Sequence, residues 1–363
     1  MKYSYNGRNF DIKRYPPTTN RSLQPWNASD ELILEYIDEH SSDSESIALV
    51  NDRFGFLATT LFHHKPISVV NYKSQQKSIE RNYTSNSLVL KSRTIISPFA
   101  KLPELELGVI KIPKSLEAFE FQLQQLHGSM SENGTLICGF MTKYFTPQLL
   151  EIASNYFEDV EQSKAVKKAR LLILKGKKDI EPQSLISNIE FKDKVYQQYP
   201  GVFSSDHIDY ATQFFLEHLE LKESDVKVLD LASGNGVIAD QILLKNPDAE
   251  MHLLEDSFLA IESSKPNIES NAQHHWNDTL EGFEDGSFDL IVSNPPFHFD
   301  YETNIEVSLG LFEQVKRCLK ESGRFSLVAN KHLNYKTHLD KLFANCSISV
   351  ENDKFVVYEC LRM

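Results

Sequence analysis

The stretch Lys227-Val228-Leu229-Asp230-Leu231-Ala232-Ser233-Gly234-Asn235-Gly236 decides the fold. An apolar run of strand length ends in small residues and two glycines, and an apolar helical stretch from about Val237 to Leu244 follows. Strand, glycine turn and helix in that order build the ligand-cradling corner of an α/β sheet. Small residues admit a ligand close to the backbone, and the helix N-terminus presents unpaired N–H groups. Gly234-Asn235-Gly236-Val237-Ile238-Ala239 also fits the dinucleotide pattern, so the glycines alone do not name the ligand. Asp230 narrows the choice: a carboxylate inside the strand suits a cationic group, such as the amine of a methionine derivative, better than a pyrophosphate. Glu255 ends the next strand, Glu250–Leu254, where an acid binds ribose hydroxyls. Asn277-Asp278 end a third strand, where Asp278 can accept from an adenine amine. The spacing predicts S-adenosylmethionine as cofactor, held by Asp230, Ala232, Ser233, Gly234, Gly236, Glu255, Asn277 and Asp278.

Working outward, Phe288-Asp289-Leu290-Ile291-Val292 forms a strand that runs into Asn294-Pro295-Pro296-Phe297. The chemistry of an exocyclic amine accounts for these residue types. Its lone pair is delocalised into the base, so it is a poor nucleophile. The Asn294 side-chain oxygen and the Pro295 carbonyl can accept its two hydrogens and draw the nitrogen toward tetrahedral geometry. The prolines fix the backbone that holds that carbonyl. Phe297 offers a flat face for a flipped base. Asn294, Pro295, Pro296 and Phe297 are therefore the catalytic candidates, with Asn294 also reaching the cofactor, and the reaction is methyl transfer to a planar amine. His298 is a candidate proton relay, and Trp276 a buried indole or a stacking surface.

The first half repeats this plan. Strand candidates at Ile47–Val50, Gly108–Ile112, Thr135–Gly139 and Arg170–Leu174 alternate with helical stretches, which implies βαβ units and a parallel sheet. Asn51-Asp52-Arg53-Phe54-Gly55 lacks the paired glycines, and Lys111-Ile112-Pro113 stands where the second half has Asn294-Pro295-Pro296. The expected architecture is two tandem Rossmann-like class I methyltransferase domains, α/β throughout, the N-terminal one degenerate. The expected domains are 1–195 and 196–363, with the linker near the turn signal Tyr199-Pro200-Gly201.

The chain carries a net charge of -13, which argues against a polyanionic partner, but the charge is uneven. Residues 1–200 carry net +2 and residues 201–363 net -15. Lys164, Lys167, Lys168 and Arg170, on a predicted helix-to-strand segment, and Lys111 are the candidates for RNA phosphate contact. The four cysteines form no C-x-x-C pair, so neither a disulfide framework nor a metal site is expected. No apolar run of membrane-spanning length and no secretory leader is read, and a cytoplasmic monomer is the expectation.

The segments RYPPT (14–18), LQPW (23–26), NDRFG (51–55), IKIPKSL (110–116), GVFS (201–204), GNGVI (234–238), NPPFH (294–298) and VANKHLNY (328–335) carry a resemblance. The chain is similar to the ribosomal RNA guanine-N2 methyltransferases with tandem methyltransferase-like domains, the large-subunit type ahead of the small-subunit type. The resemblance implies S-adenosylmethionine binding by the second domain, 23S rRNA recognition largely by the first, and N2-methylguanine as product. It adds Phe203, Ser204 and Asp256 to the cofactor-binding candidates. Ala232 departs from the family glycine, Glu255-Asp256 from the commoner Asp-Glu, and Tyr210 from a smaller residue. The alternatives are a 16S rRNA guanine-N2 enzyme, another planar amine such as adenine N6 or a glutamine amide, and an RNA-binding protein with an impaired cofactor site.

Overall fold

The computed structural model describes residues 1–362 apart from Arg21, Ser42, Asp43, Arg93, Ser270, Asn271, Pro296, Phe297, Asp300, Tyr301, Asn304 and Ile305. The chain divides into two compact units, Met1–Leu185 and Ile186–Met363.

In the first unit, the hairpin β1 (Lys2–Tyr5) and β2 (Arg8–Asp11) precedes α1 (Ala28–His40). Then come β3 (Ile47–Val50), α2 (Phe56–Thr60), β4 (Ile67–Val69), α3 (Lys73–Ser85), β5 (Ile95–Ile96) and β6 (Leu105–Lys111). The unit closes with α4 (Leu116–His127), β7 (Met130–Met141), α5 (Gln148–Tyr156), β8 (Phe157–Gln162) and β9 (Ala169–Lys177). The second unit opens with the hairpin β10 (Ser187–Phe191) and β11 (Lys194–Gln198), then α6 (Tyr210–His218). It continues with β12 (Lys227–Leu231), α7 (Val237–Lys245), β13 (Glu250–Glu255), α8 (Phe258–Asn267), β14 (Gln273–Trp276) and β15 (Phe288–Ser293). A short ribbon, β16 (His298–Phe299) and β17 (Glu302–Thr303), leads to α9 (Glu306–Cys318) and β18 (Leu319–Asn330). The last elements are α10 (Lys336–Leu342), β19 (Asn345–Glu351) and β20 (Phe355–Leu361).

Each unit holds one seven-stranded sheet, ordered β5-β4-β3-β6-β7-β9-β8 and β14-β13-β12-β15-β18-β20-β19. The two orders are the same. In both, the first five strands run parallel, and the sixth, β9 or β20, runs antiparallel to the strand on either side of it. Central strands are buried on both faces, as a parallel sheet requires: all four residues of β3 are buried. Along β12, Val228 joins one core with Ile242, Leu253 and Phe215, while Leu229 and Leu231 join another with Phe288, Phe312 and Phe325. Period-two alternation thus divides one strand between two helical layers. Both glycine corners keep the same backbone. Gly55 (φ +70) and Gly236 (φ +82) cap their helices in the left-handed region, and a Cβ there would meet Ile79 or Ser264 within 3 Å.

Three expectations need correction. The boundary expected at 195/196 falls inside β11; the division lies at 185/186, because Ile189 and Tyr196 of the β10–β11 hairpin pack into the second unit's core. The segment around Lys164–Arg170 is a β-hairpin rather than helix-to-strand: Lys167 (φ 47) and Lys168 (φ 65) form the left-handed turn between β8 and β9. No glycine or asparagine marks that turn. Cys346 and Cys360, cross-strand neighbours on β19 and β20, are joined in a disulfide, while Cys138 and Cys318 are buried thiols.

Candidate active site

The second unit gathers its polar groups at the carboxyl ends of β14, β13, β12 and β15, where the strand order reverses and α/β ligands sit. Asp230 is fully buried and its Oδ2 accepts from the Ala239 amide in the first turn of α7, at 3.1 Å. Its Oδ1 and the Ser233 Oγ are buried without a hydrogen-bond partner among the described residues. Burial pushes the Asp230 carboxyl up to about 7, opposed by the Ala239 amide and reinforced by Glu255. Gly234 lies at φ +54, and a Cβ built on it would meet nothing within 4 Å. Orphaned acceptors beside open space at a glycine fit the amino-acid end of a nucleoside cofactor.

Glu255 ends β13 with one carboxylate oxygen accepting from the Gly234 amide and the other from the Ser257 amide, each at 3.0 Å. Burial pushes it up to about 6 against those two bonds. An ionised carboxylate has about four lone-pair positions, so these amides leave acceptor capacity for a ribose hydroxyl. Beyond β14, Asn277 donates from its backbone to the Glu255 carbonyl, and its side-chain oxygen accepts from the Asp278 amide. The Trp276 indole donates to the Asp256 carbonyl at 2.8 Å and packs edge-on against Phe258, so it is a structural indole.

Phe203 and Ser204 reach this corner through a residue the sequence did not single out. Gln198 is buried; its carbonyl oxygen accepts from the Asn235 side chain at 2.9 Å, and its NH2 donates to the Val202 carbonyl at 3.1 Å and to the Phe203 and Ser204 carbonyls. One side chain therefore ties the 201–204 segment to the glycine loop. Phe203 stays exposed.

Asn294 follows β15, half-buried, with Pro295 buried behind it. Its Nδ2 donates to Asp209 Oδ2 at 3.0 Å and to Thr212 Oγ1 at 2.9 Å. Asp209 also caps α6, accepting from the Ala211 and Thr212 amides. Pro296, Phe297 and the His298 side chain lie outside the described residues.

The first unit carries the same corner without the same groups. Register aligns Val70 with Glu255 and Lys111 with Asn294; the capping glycines align Arg53 with Gly234 and Asn51 with Ala232. Arg53 is buried; its guanidinium lies over the Tyr72 ring and donates to Ser74 Oγ at 2.8 Å, so the side chain occupies the corner itself. Asp52, in the loop rather than the strand, accepts from the Ala58 amide at 2.7 Å, the counterpart of Ala239. Lys111 pairs with the buried Asp30 at 2.8 Å. Lys167 pairs with Glu31 and Arg170 contacts Gln162, while Lys164 and Lys168 stand exposed at the hairpin end.

A family model described as "RLMG N-terminal domain" matches residues 1–179, and one described as "Methyltransferase small domain" matches residues 194–359. A ribosomal RNA large subunit methyltransferase G of Pseudoalteromonas translucida (strain TAC 125) is 30% identical over 100% of this chain and 98% of its own length. The protein of the same name from Yersinia enterocolitica is 32% identical over 98% of this chain and 93% of its own length. The chain belongs to the ribosomal RNA large subunit methyltransferase G family. As a member of the methyltransferase G family it is a methyltransferase that uses S-adenosylmethionine, and the acids and open glycine corner of the second unit fit that cofactor. The solved 16S rRNA N2 methyltransferase of T. thermophilus, in complex with AdoMet and guanosine, shares the tandem fold. It covers 100% of this chain and 98% of its own at 20% identity and a TM-score of 0.78. Among the described residues, no helix is long and apolar enough to cross a membrane, and no cluster of His, Cys, Asp and Glu could hold a metal ion.

Proposed function

We propose that this chain methylates the exocyclic N2 amine of a guanine in 23S ribosomal RNA. The observation that carries the chemistry is the orientation of Asn294. Its NH2 end faces Asp209, whose carboxylate can only accept, so its carbonyl oxygen is the end left for a substrate N–H. The Pro295 carbonyl is the second acceptor. Two acceptors on the two amine hydrogens localise the nitrogen lone pair, which is the activation a conjugated amine needs, and no strong base is required. S-adenosylmethionine supplies an electrophilic methyl group on a sulfonium. Asp230, Ser233, Gly234, Gly236, Glu255, Asp256, Asn277, Asp278, Phe203 and Ser204 hold it, with Ala232 in the same loop. Pro296 and Phe297 are the remaining catalytic candidates of the motif.

The large-subunit substrate is supported by the relatives' names and by the match of the first unit to their N-terminal domain model. That unit recognises RNA, with Lys164, Lys167, Lys168 and Arg170 at the β8–β9 hairpin as phosphate contacts. Lys111 drops out of this set, since its amine is committed to Asp30. The protein acts as a cytoplasmic monomer, where its RNA is made. The deciding experiment is tritiated-methyl transfer to undermethylated 23S and 16S rRNA, followed by nucleoside analysis. N2-methylguanine from 23S alone is the expected result. Label in 16S alone, or in another nucleoside, overturns the proposal.

A further inference from the structure

We infer that Asp209 and Thr212 are positioning residues that set which end of the Asn294 amide meets the substrate. The inference rests on the reading of Asn294 given above. A side-chain amide has a donor end and an acceptor end of nearly equal shape, and only the acceptor end can draw on a substrate N–H. Left to itself the group would present either. Here both Nδ2 hydrogens are taken, one by the Asp209 carboxylate at 3.0 Å and one by Thr212 Oγ1 at 2.9 Å. An ionised carboxylate has no hydrogen to give, so the reversed amide would set two acceptors face to face. The carbonyl oxygen is therefore directed away from α6.

The local sequence holds the lock rigid. Asp209 is the N-cap of α6, with Oδ2 also accepting from the Ala211 and Thr212 amides at 3.0 and 3.2 Å. Thr212 is buried at the third helical position. The first unit retains the arrangement in altered form. At the register position of Asn294 stands Lys111, and its amine meets Asp30, the third helical residue of α1 and so the counterpart of Thr212. An acceptor on the first helix faces the end of the fourth strand in both units. Where the strand-end residue can only donate, a stable ion pair results and no acceptor is presented. Where it is an amide, the same contact leaves an acceptor free.

The test compares purified full-length variants for single-turnover methyl transfer to undermethylated 23S rRNA, with S-adenosylmethionine affinity measured by calorimetry. Asp209→Ser combined with Thr212→Val keeps a capping oxygen for α6 but removes the acceptor-only carboxylate and the threonine hydroxyl, so the amide of Asn294 is no longer held one way round. The turnover rate should fall by about tenfold or more while cofactor Kd and RNA KM stay within about threefold. Asp209→Asn alone offers Asn294 a donor and permits the reversed amide, so it should also be slow. Asn294→Asp alone places two carboxylates together and should be slow at neutral pH. The pair Asp209→Asn with Asn294→Asp exchanges donor and acceptor across the contact, and should recover about tenfold over either single change. Wild-type turnover in the Asp209→Ser/Thr212→Val protein overturns the inference. So does an exchange pair no faster than its singles in a protein that binds cofactor normally. Wild-type turnover in Asn294→Ala would instead remove the reading of Asn294 itself, so the two failures are distinguishable.

Discussion

The corner after β3 and the corner after β12 have one backbone and two chemistries. Both place a residue in the left-handed region just after the strand, Asn51 at φ 60 and Ala232 at φ 59, and both cap the next helix with a left-handed glycine. Both satisfy the same helical amide with a buried carboxylate. They differ at the positions that face a ligand. The second unit has Gly234 and Glu255 where the first has Arg53 and Val70. Conformation is therefore conserved by the demands of packing, whereas ligand chemistry resides in a few replaceable side chains.

The contrast can be broken most severely at the ends of β6 and β15. Asn294→Ala should lower turnover by about 100-fold or more and leave cofactor affinity within about tenfold, because its contacts belong to the transition state. Equal single-turnover rates would place the chemistry elsewhere. The aligned change Lys111→Met should leave the chemistry alone but destabilise the protein by about 3–5 kcal/mol, by stranding the buried Asp30 charge. Adding Asp30→Asn should recover most of that in urea titrations, since the asparagine oxygen can still cap α1.

A smaller effect separates the two carboxylates by pH. Burial raises Asp230 to about 7 from an unfolded value near 4, so its contribution to stability is fully present at low pH and is lost as pH rises through about 7. Asp230→Asn should flatten that decline and become the more stable protein at about pH 8 in thermal scans. A cationic amine at Asp230 favours the ionised form, so wild-type cofactor affinity should strengthen from about pH 5.5 to about pH 7 in calorimetry. Asp230→Asn should lose that slope. Asp52, pushed up to about 6 by burial, has the stability term without the cofactor term.

The smallest expected effect is at the left-handed position. Ala232 carries a Cβ at φ 59, at a cost of about 1–2 kcal/mol relative to glycine, partly offset by the greater freedom of glycine in the unfolded chain. Ala232→Gly should raise stability by about 0.5–1 kcal/mol by urea midpoint. Asn51→Gly should lower it, because Asn51 donates to the Lys111 carbonyl and to Gln122.

Most of the fold was legible because its signals are local. Strand runs, glycine corners and the proline stop after Asn294 each lie within a dozen residues, and their order gave the tandem α/β plan. The position of the candidate site was legible where the strand ends themselves carry polar groups, as at Asp230, Glu255 and Asn294. Its supports were not. Asp209 meets Asn294 across 85 residues, Gln198 meets Asn235 across 37, and Asp30 meets Lys111 across 81. None of these pairings leaves a periodicity. The lysine turn at 167–168 was missed for a different reason: it uses residues that rarely adopt a left-handed conformation, so the usual turn marks are missing.

Arg53 has a thermodynamic consequence. A corner that binds a diffusible molecule gains folding stability in proportion to the logarithm of that molecule's concentration, so the second unit's integrity follows the supply of methyl donor. In the first unit the occupant is covalently part of the chain, and its effective concentration never varies. When the methyl donor is depleted, the first unit keeps its full stability while the second loses some.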